Sequence, residues 1–359
     1  LDDYALYMAV KGKYEGKSWM DWDEDIRFRR PEALSAYREE LAEEINYWKF
    51  LQFKFFEQWK KLKQYAKEKD LQIVGDIPIY VALDSADVWS HPELFQLDEE
   101  NLTPLKVSGV PPDAFSEDGQ LWGNPLYDWE KMEQTDFAWW RSRMKASAKL
   151  YDAVRIDHFI GVVQYYAIPY GAVTAKDGEW EKGPGKKLTD ALDEAAGETK
   201  IIAEDLGVFC QEVKDLLAET GYPGMKIIEF AFSGDRFNEH LPHCYDPNSV
   251  VYGGTHDNET LAGYFKPEKR QWWELQYIAD YLGAAHQSEV VDRVFRAAYG
   301  SVASVAIFQM QDVLKLDNWA RMNTPGTLGE NWRWRLVPGQ FTNERADYLS
   351  WLVDTFGRF

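Results

Sequence analysis

Cysteine is nearly absent: only Cys210 and Cys244 occur in 359 residues, alongside six histidines. Neither residue type falls at ligand-like spacing, so no zinc site and no disulfide framework is expected. Positive charge is also scarce. Forty basic residues face 60 acidic ones, for a formal charge of -20. Such a surface repels phosphate backbones and anionic lipid, so nucleic acid is not an expected partner and a neutral or cationic small molecule is favoured. No apolar run reaches membrane-spanning length and no basic-then-apolar segment opens the chain, which leaves no membrane role and the cytoplasm as default compartment. The chain begins at Leu1 rather than Met, so an upstream signal stays open. Two further absences narrow the chemistry. No Gly-rich phosphate loop follows a strand-like run, and no Gly-x-Ser-x-Gly elbow is present.

Aromatic residues are what the chain has in quantity. Trp, Tyr and Phe number 16, 20 and 19, more than core packing demands. Most fill the core, but sugar rings present apolar C–H faces that stack on such side chains, so a minority is expected at a ligand. The hydrophobic fraction of 45% is enough for a large core, either one barrel-sized domain or two smaller ones.

One pattern recurs along the chain. From residue 31 to 69, apolar side chains at helical spacing (Leu41, Ile45, Trp48, Leu51, Phe55, Trp59, Leu62) predict one or two long helices. A short β-branched run then ends in polar residues, "LQIVGDIPIY" (71–80), as a buried strand entering a loop does. The same order returns in "YDAVRIDHF" (151–159), "KIIAEDLGV" (200–208), "MKIIEFAF" (225–232), "SVVYGGTHDNET" (249–260) and "SVAIFQMQDVL". Helical patterns lie between them, for example over 137–150, 210–219 and 270–282. Alternating buried strands and amphipathic helices imply parallel strands joined by right-handed crossovers.

A doubly wound open sheet and a closed barrel both fit that alternation. Acidic residues at the C-terminal ends of several strands favour the barrel, whose active sites assemble there. The expected fold is therefore α/β, a (β/α)8 TIM barrel with long loop or subdomain insertions and about six of its eight strands present. One catalytic domain is expected over 1–359, incomplete at its N-terminus, with a Pro-, Gly- and Trp-rich insertion at 84–130 that binds substrate.

Asp157 ends a strand and Arg155 precedes it by two, so both side chains point to one face. The arginine supplies the counter-charge a nucleophilic carboxylate needs, although a structural ion pair explains the pattern equally well. Glu204 and Asp205 end the next strand. Asp is the stronger N-cap and suits the following helix, which leaves Glu204 as the general acid/base. His256 and Asp257 close "GGTHDNET", where Gly253 and Gly254 free the backbone. Together the three acids form what a retaining glycosidase uses: Asp157 attacks the anomeric carbon, Glu204 moves the proton, and Asp257 with His256 holds ring hydroxyls.

The stretches "VRIDHF", "IIAEDLGV" and "GGTHDNET" resemble the catalytic segments of the 4-α-glucanotransferases, also called amylomaltases or disproportionating enzymes, glycoside hydrolase family 77. So do "DDYALYMAVK", "GDIPIYVALDSADVW", "GVPPDAFSEDGQLWGNPLYDW", "GMKIIEFAF", "QDVL" and "ARMNTPG" with "NWRWRL". The resemblance implies Asp157 as nucleophile, Glu204 as acid/base and Asp257 as transition-state stabiliser. It places Asp76, Arg155 and His256 at the donor sugar, and Asp113, Phe115, Gln120, Trp122 and Asn323 against other sugars. It implies no cofactor and no metal. The partners it implies are α-1,4-glucans and maltooligosaccharides, with glucose as acceptor. Members carry further sequence before "DDYALYMAVK", including two barrel strands, so the chain is expected to be a fragment of a longer product with open strand edges. Nothing in the carboxylates separates transfer from hydrolysis. An α-glucan hydrolase and an inactive glucan-binding fragment remain the alternatives.

Overall fold

β-Branched runs that stop at a polar residue form the strands, and the intervening periodic segments form the helices. The computed structural model describes residues 1–112, 116–208 and 210–359, and the chain divides into two compact units, Leu1–Thr220 and Gly221–Phe359.

The first unit contains strands β1 (Val74–Ile77), β2 (Lys106–Val110), β3 (Gln120–Pro125), β4 (Ala153–Ile156), β5 (Gln164–Pro169), β6 (Glu179–Lys182) and β7 (Lys200–Ala203). Three of them make a parallel sheet in the order β1-β4-β7, and the other four make an antiparallel sheet in the order β3-β2-β5-β6. Strand β4 is buried at all four positions, as a central parallel strand covered on both faces must be. Helix Lys186–Ala196 buries Leu188, Ala191, Leu192 and Ala195 along one stripe and packs on helix Ala138–Leu150. Each such leucine contributes roughly 1.5 to 3 kcal/mol on leaving water.

Residues 31–69 form two helices, Pro31–Glu40 and Ala42–Glu68. The apolar stripe of the longer one is only partly covered: Ile45 is buried, but Phe55 and Leu62 are exposed. None of the helices among the described residues is long and apolar enough to cross a membrane.

The second unit has strands β8 (Gly224–Ile227), β9 (Ser249–Tyr252) and β10 (Val305–Ile307), parallel and ordered β10-β9-β8. Its core gathers Ile228, Val251, Leu261, Phe265, Val294 and Phe295.

Among the described residues, the barrel expected from the sequence is not formed. All six anticipated parallel strands exist, but they pair as two ladders of three. A barrel needs each strand hydrogen-bonded on both sides around a closed ring. Here β1, β7, β8 and β10 are edge strands, so neither sheet closes. The 84–130 insertion also holds more regular structure than a loop: helix Ala86–Ser90 and strands β2 and β3.

Candidate functional site

In the first unit the chemistry gathers at the C-terminal ends of β1, β4 and β7. Register places Asp76 beside Arg155 and Arg155 beside Ile202. Arg155 is 8% exposed. Its Nη1 lies 2.8 Å from both carboxylate oxygens of Asp76 and 2.8 Å from Oδ1 of Asp157. Burial opposes the charge of this guanidinium, yet Asp76, Asp157 and Glu204 outweigh it and hold the proton more firmly than usual. The alternation expected for Arg155 and Asp157 is thus observed.

Glu204 follows β7 and is also 8% exposed. Its Oε2 accepts from the backbone N–H of His158 at 2.6 Å and its Oε1 from that of Leu206 at 3.0 Å. Burial, and next the charge of Asp157, push its carboxyl up to about 8, against the pull of Arg155 and the two amides. It therefore keeps its proton at neutral pH. The following helix starts at Gln211, six residues beyond Asp205.

Aromatic rings stand beside this cluster. Trp122 on β3 is 38% exposed, and its Nε1 donates to Oε1 of Gln120 at 3.1 Å. Its ring meets that of His158 edge-on at 4.8 Å, and Tyr80 lies 6.3 Å from Trp122 and 6.4 Å from His158. Neither Tyr80 nor His158 was assigned a role from its motif, although the latter directly follows Asp157. Asp113 and Phe115 lie outside the described residues.

The second unit presents a cluster of its own after β9. Nε2 of His256 lies 3.3 Å from Oδ2 of Asp257. Asn323 donates from Nδ2 to Oδ1 of Asp257 at 2.6 Å and from its backbone N–H to the carbonyl of His256 at 3.1 Å. Arg321 donates from Nη2 to the Asp257 carbonyl at 2.6 Å, and the Trp332 ring lies 5.1 Å from that of His256. Trp332 has φ +64°, a costly conformation for a bulky residue. Arg321 and Trp332 were missed as contributors. Both sit in or beside the "ARMNTPG" and "NWRWRL" stretches, the one available signal.

Two buried acids underlie this loop. Glu229 is 2% and Asp312 0% exposed. Burial raises both, Glu229 well above its ordinary value and Asp312 to about 7. A Cβ on Gly254 would fall 2.6 Å from Oε1 of Glu229, so this glycine serves close approach rather than the backbone freedom expected of it. Among the described residues, no group of three or more His, Cys, Asp or Glu side chains is disposed to hold a metal ion.

Chemically, the first cluster offers a guanidinium-paired carboxylate next to a buried, protonated carboxyl. Two acids in contrasting environments suit an acid-assisted displacement at an acetal carbon.

Comparison with known proteins agrees with that chemistry. A family model described as 4-alpha-glucanotransferase matches residues 1–340. A 4-alpha-glucanotransferase of Clostridium butyricum is 50% identical over 358 residues, covering 100% of this chain and 73% of the relative. One from Synechocystis is 47% identical, covering 100% of this chain and 71% of the relative. Among solved structures, the amylomaltase from Streptococcus agalactiae in complex with acarbose superposes with a TM-score of 0.95 at 41% identity, over 99% of this chain and 72% of that one.

Proposed function

The chain belongs to the 4-alpha-glucanotransferase family, glycoside hydrolase family 77, and on that premise we propose that Asp157 and Glu204 carry its chemistry by retaining double displacement. The enzyme transfers α-1,4-glucan segments between oligosaccharides, with maltooligosaccharides as donors and acceptors. Glu204 donates its proton to the glycosidic oxygen while Asp157 attacks the anomeric carbon. The carbon–oxygen bond breaks, the leaving sugar departs with the proton, and a glycosyl ester forms on Asp157. Glu204, now a carboxylate, takes the proton from an acceptor hydroxyl, whose oxygen attacks the anomeric carbon and frees Asp157. Asp257 stabilises the cationic transition state, and His256 with Asn323 binds sugar hydroxyls. Asp76 and Arg155 belong to the donor subsite. Asp113, Phe115, Gln120 and Trp122, within the 84–130 insertion, contact further sugars, and glucose serves as an acceptor.

The observation that carries this assignment is the buried Glu204 carboxyl, bonded by the N–H of the residue that follows the Arg155-held Asp157. We place the enzyme in the cytoplasm, and cell fractionation checks this. The mechanism is tested with maltotriose alone. Transfer yields both longer oligomers and glucose, whereas hydrolysis yields only shorter products. Asp157→Ala and Glu204→Gln should abolish both, and a glucan-binding protein without activity would give neither product in the parent chain.

A further inference from the structure

His158 has a role that neither its motif nor the chemistry above requires. It follows Asp157 at the end of β4 with φ +48°, the left-handed region that costs an ordinary side chain about 1 kcal/mol or more. That turn directs three hydrogen bonds across to the end of β7. Glu204 N–H donates to the Ile156 carbonyl at 3.0 Å, and Phe159 N–H donates to the Glu204 carbonyl at 2.9 Å. Between these two, the His158 N–H leaves the ladder and reaches the Glu204 side chain at Oε2, 2.6 Å away. The φ of 158 sets how the chain leaves this peptide plane, and Ile156 and Phe159 are both bonded to the Glu204 backbone, so a right-handed residue between them would keep the N–H on Oε2 only by breaking the Phe159 bond.

Beyond its packing against Trp122 and Tyr80, the ring makes no polar contact that explains its position. Its Nε2 is shut off from solvent with no hydrogen-bond partner among the described residues, and burial lowers its pKa to about 4 despite Asp157, so the ring is neutral. Histidine is, however, among the few side chains enriched in left-handed backbone.

We propose that His158 is a positioning residue: its left-handed turn fixes the Glu204 carboxyl by a backbone hydrogen bond and so sets where and when that carboxyl releases its proton. The proposal rests on Glu204 as acid/base. The groups facing Glu204 are Asp157 and Arg155 on the β4 side, joined through Arg155 to Asp76 on β1, and the Leu206 N–H on its own segment. To these the His158 N–H adds the one contact made from a non-glycine residue at positive φ.

In protein labelled with 15N-histidine, the His158 amide is one of six histidine signals. Its proton should shift with pH along the same curve as the Glu204 carboxyl followed by 13C, and an amide that ignores that titration overturns the proposal without any variant. His158→Val, β-branched and averse to positive φ, should raise the Glu204 titration by about one pH unit and lower kcat tenfold or more, leaving KM for maltotriose nearly unchanged. His158→Asn and His158→Gly, which tolerate the turn, should keep the parent titration and most of kcat. Equal damage from all three variants would place the role in the ring and refute the turn. The acid/base assignment is judged separately: if Glu204→Gln stays active, that assignment fails while the amide titration still decides the positioning role.

Discussion

One guanidinium nitrogen of Arg155 lies 2.8 Å from Asp157 and 2.8 Å from Asp76. Two strands thereby share a single buried cation at the ends of their side-chain ladders. Replacing it with Ala leaves both carboxylates without their counter-charge, so kcat/KM for maltotriose should fall by about 100-fold or more. Arg155→Lys should recover only part of this, because the lysine side chain ends short of the Nη1 position and its ammonium is more strongly hydrated than a guanidinium. Steady-state disproportionation assays on both variants decide it, and parent-like turnover in Arg155→Ala would sink the assignment.

The proton on Glu204 sets the upper pH limit. Its carboxyl, pushed up to about 8 by burial and by Asp157, must be protonated when the glycosidic oxygen departs. The kcat/KM profile should therefore be flat toward neutrality and fall about tenfold per pH unit above 8. Asp157→Asn removes the second cause of the shift, so in that inactive variant the 13C titration of Glu204 should move down. An unchanged or higher value contradicts the electrostatic account.

Asn323 holds Asp257 at 2.6 Å. Asn323→Ala frees that carboxylate to rotate and should lower kcat about tenfold, with little change in thermal midpoint. Asn323→Asp should do worse, since it sets a second carboxylate against the first. Comparing kcat for the two variants tests the order, and a milder effect from Asp than from Ala contradicts it.

Local signals made half of this structure readable. The six parallel strands each show an apolar run ending in polar residues, and alternation alone put Arg155 and Asp157 on one face. Barrel closure was not readable in that way, because which strand pairs with which depends on contacts far apart in sequence. Strands β2 and β3 escaped notice for a different reason: "KVSGV" and "QLWGNP" carry Gly and Pro, which mark turns when read locally, and only pairing with each other, and of β2 with β5, makes them strands. His158 and Trp332 gain their places from positive φ, which no side-chain pattern announces. Gly254, expected to free the backbone, proved to be a close approach to Glu229, a contact between segments 25 residues apart in number.

The buried acids of the second unit should make stability depend on pH in the direction opposite to the usual salt-bridged aspartate. Asp312, fully buried, is raised to about 7, whereas an aspartate in the unfolded chain titrates near 3.9, roughly. Between those values the native state keeps a proton that the unfolded chain releases. The stabilisation is fully present below about pH 4 and is lost as pH rises through about 7, a change on the order of 4 kcal/mol if Asp312 alone is counted. Glu229 is raised by the same burial and by Asp312, so it adds in the same direction. Asp312→Asn keeps an oxygen to accept the Leu261 N–H, which Asp312 now bonds at 2.7 Å, but it has no proton to lose. Urea unfolding at pH 5, 7 and 9 should show a shallower decline in Asp312→Asn than in the parent. Asp312→Leu should be destabilised at every pH by about 1 to 3 kcal/mol, because it strands that N–H. If Asp312→Asn loses stability as steeply as the parent, the slope comes from other groups and Asp312 is ionised in the folded protein.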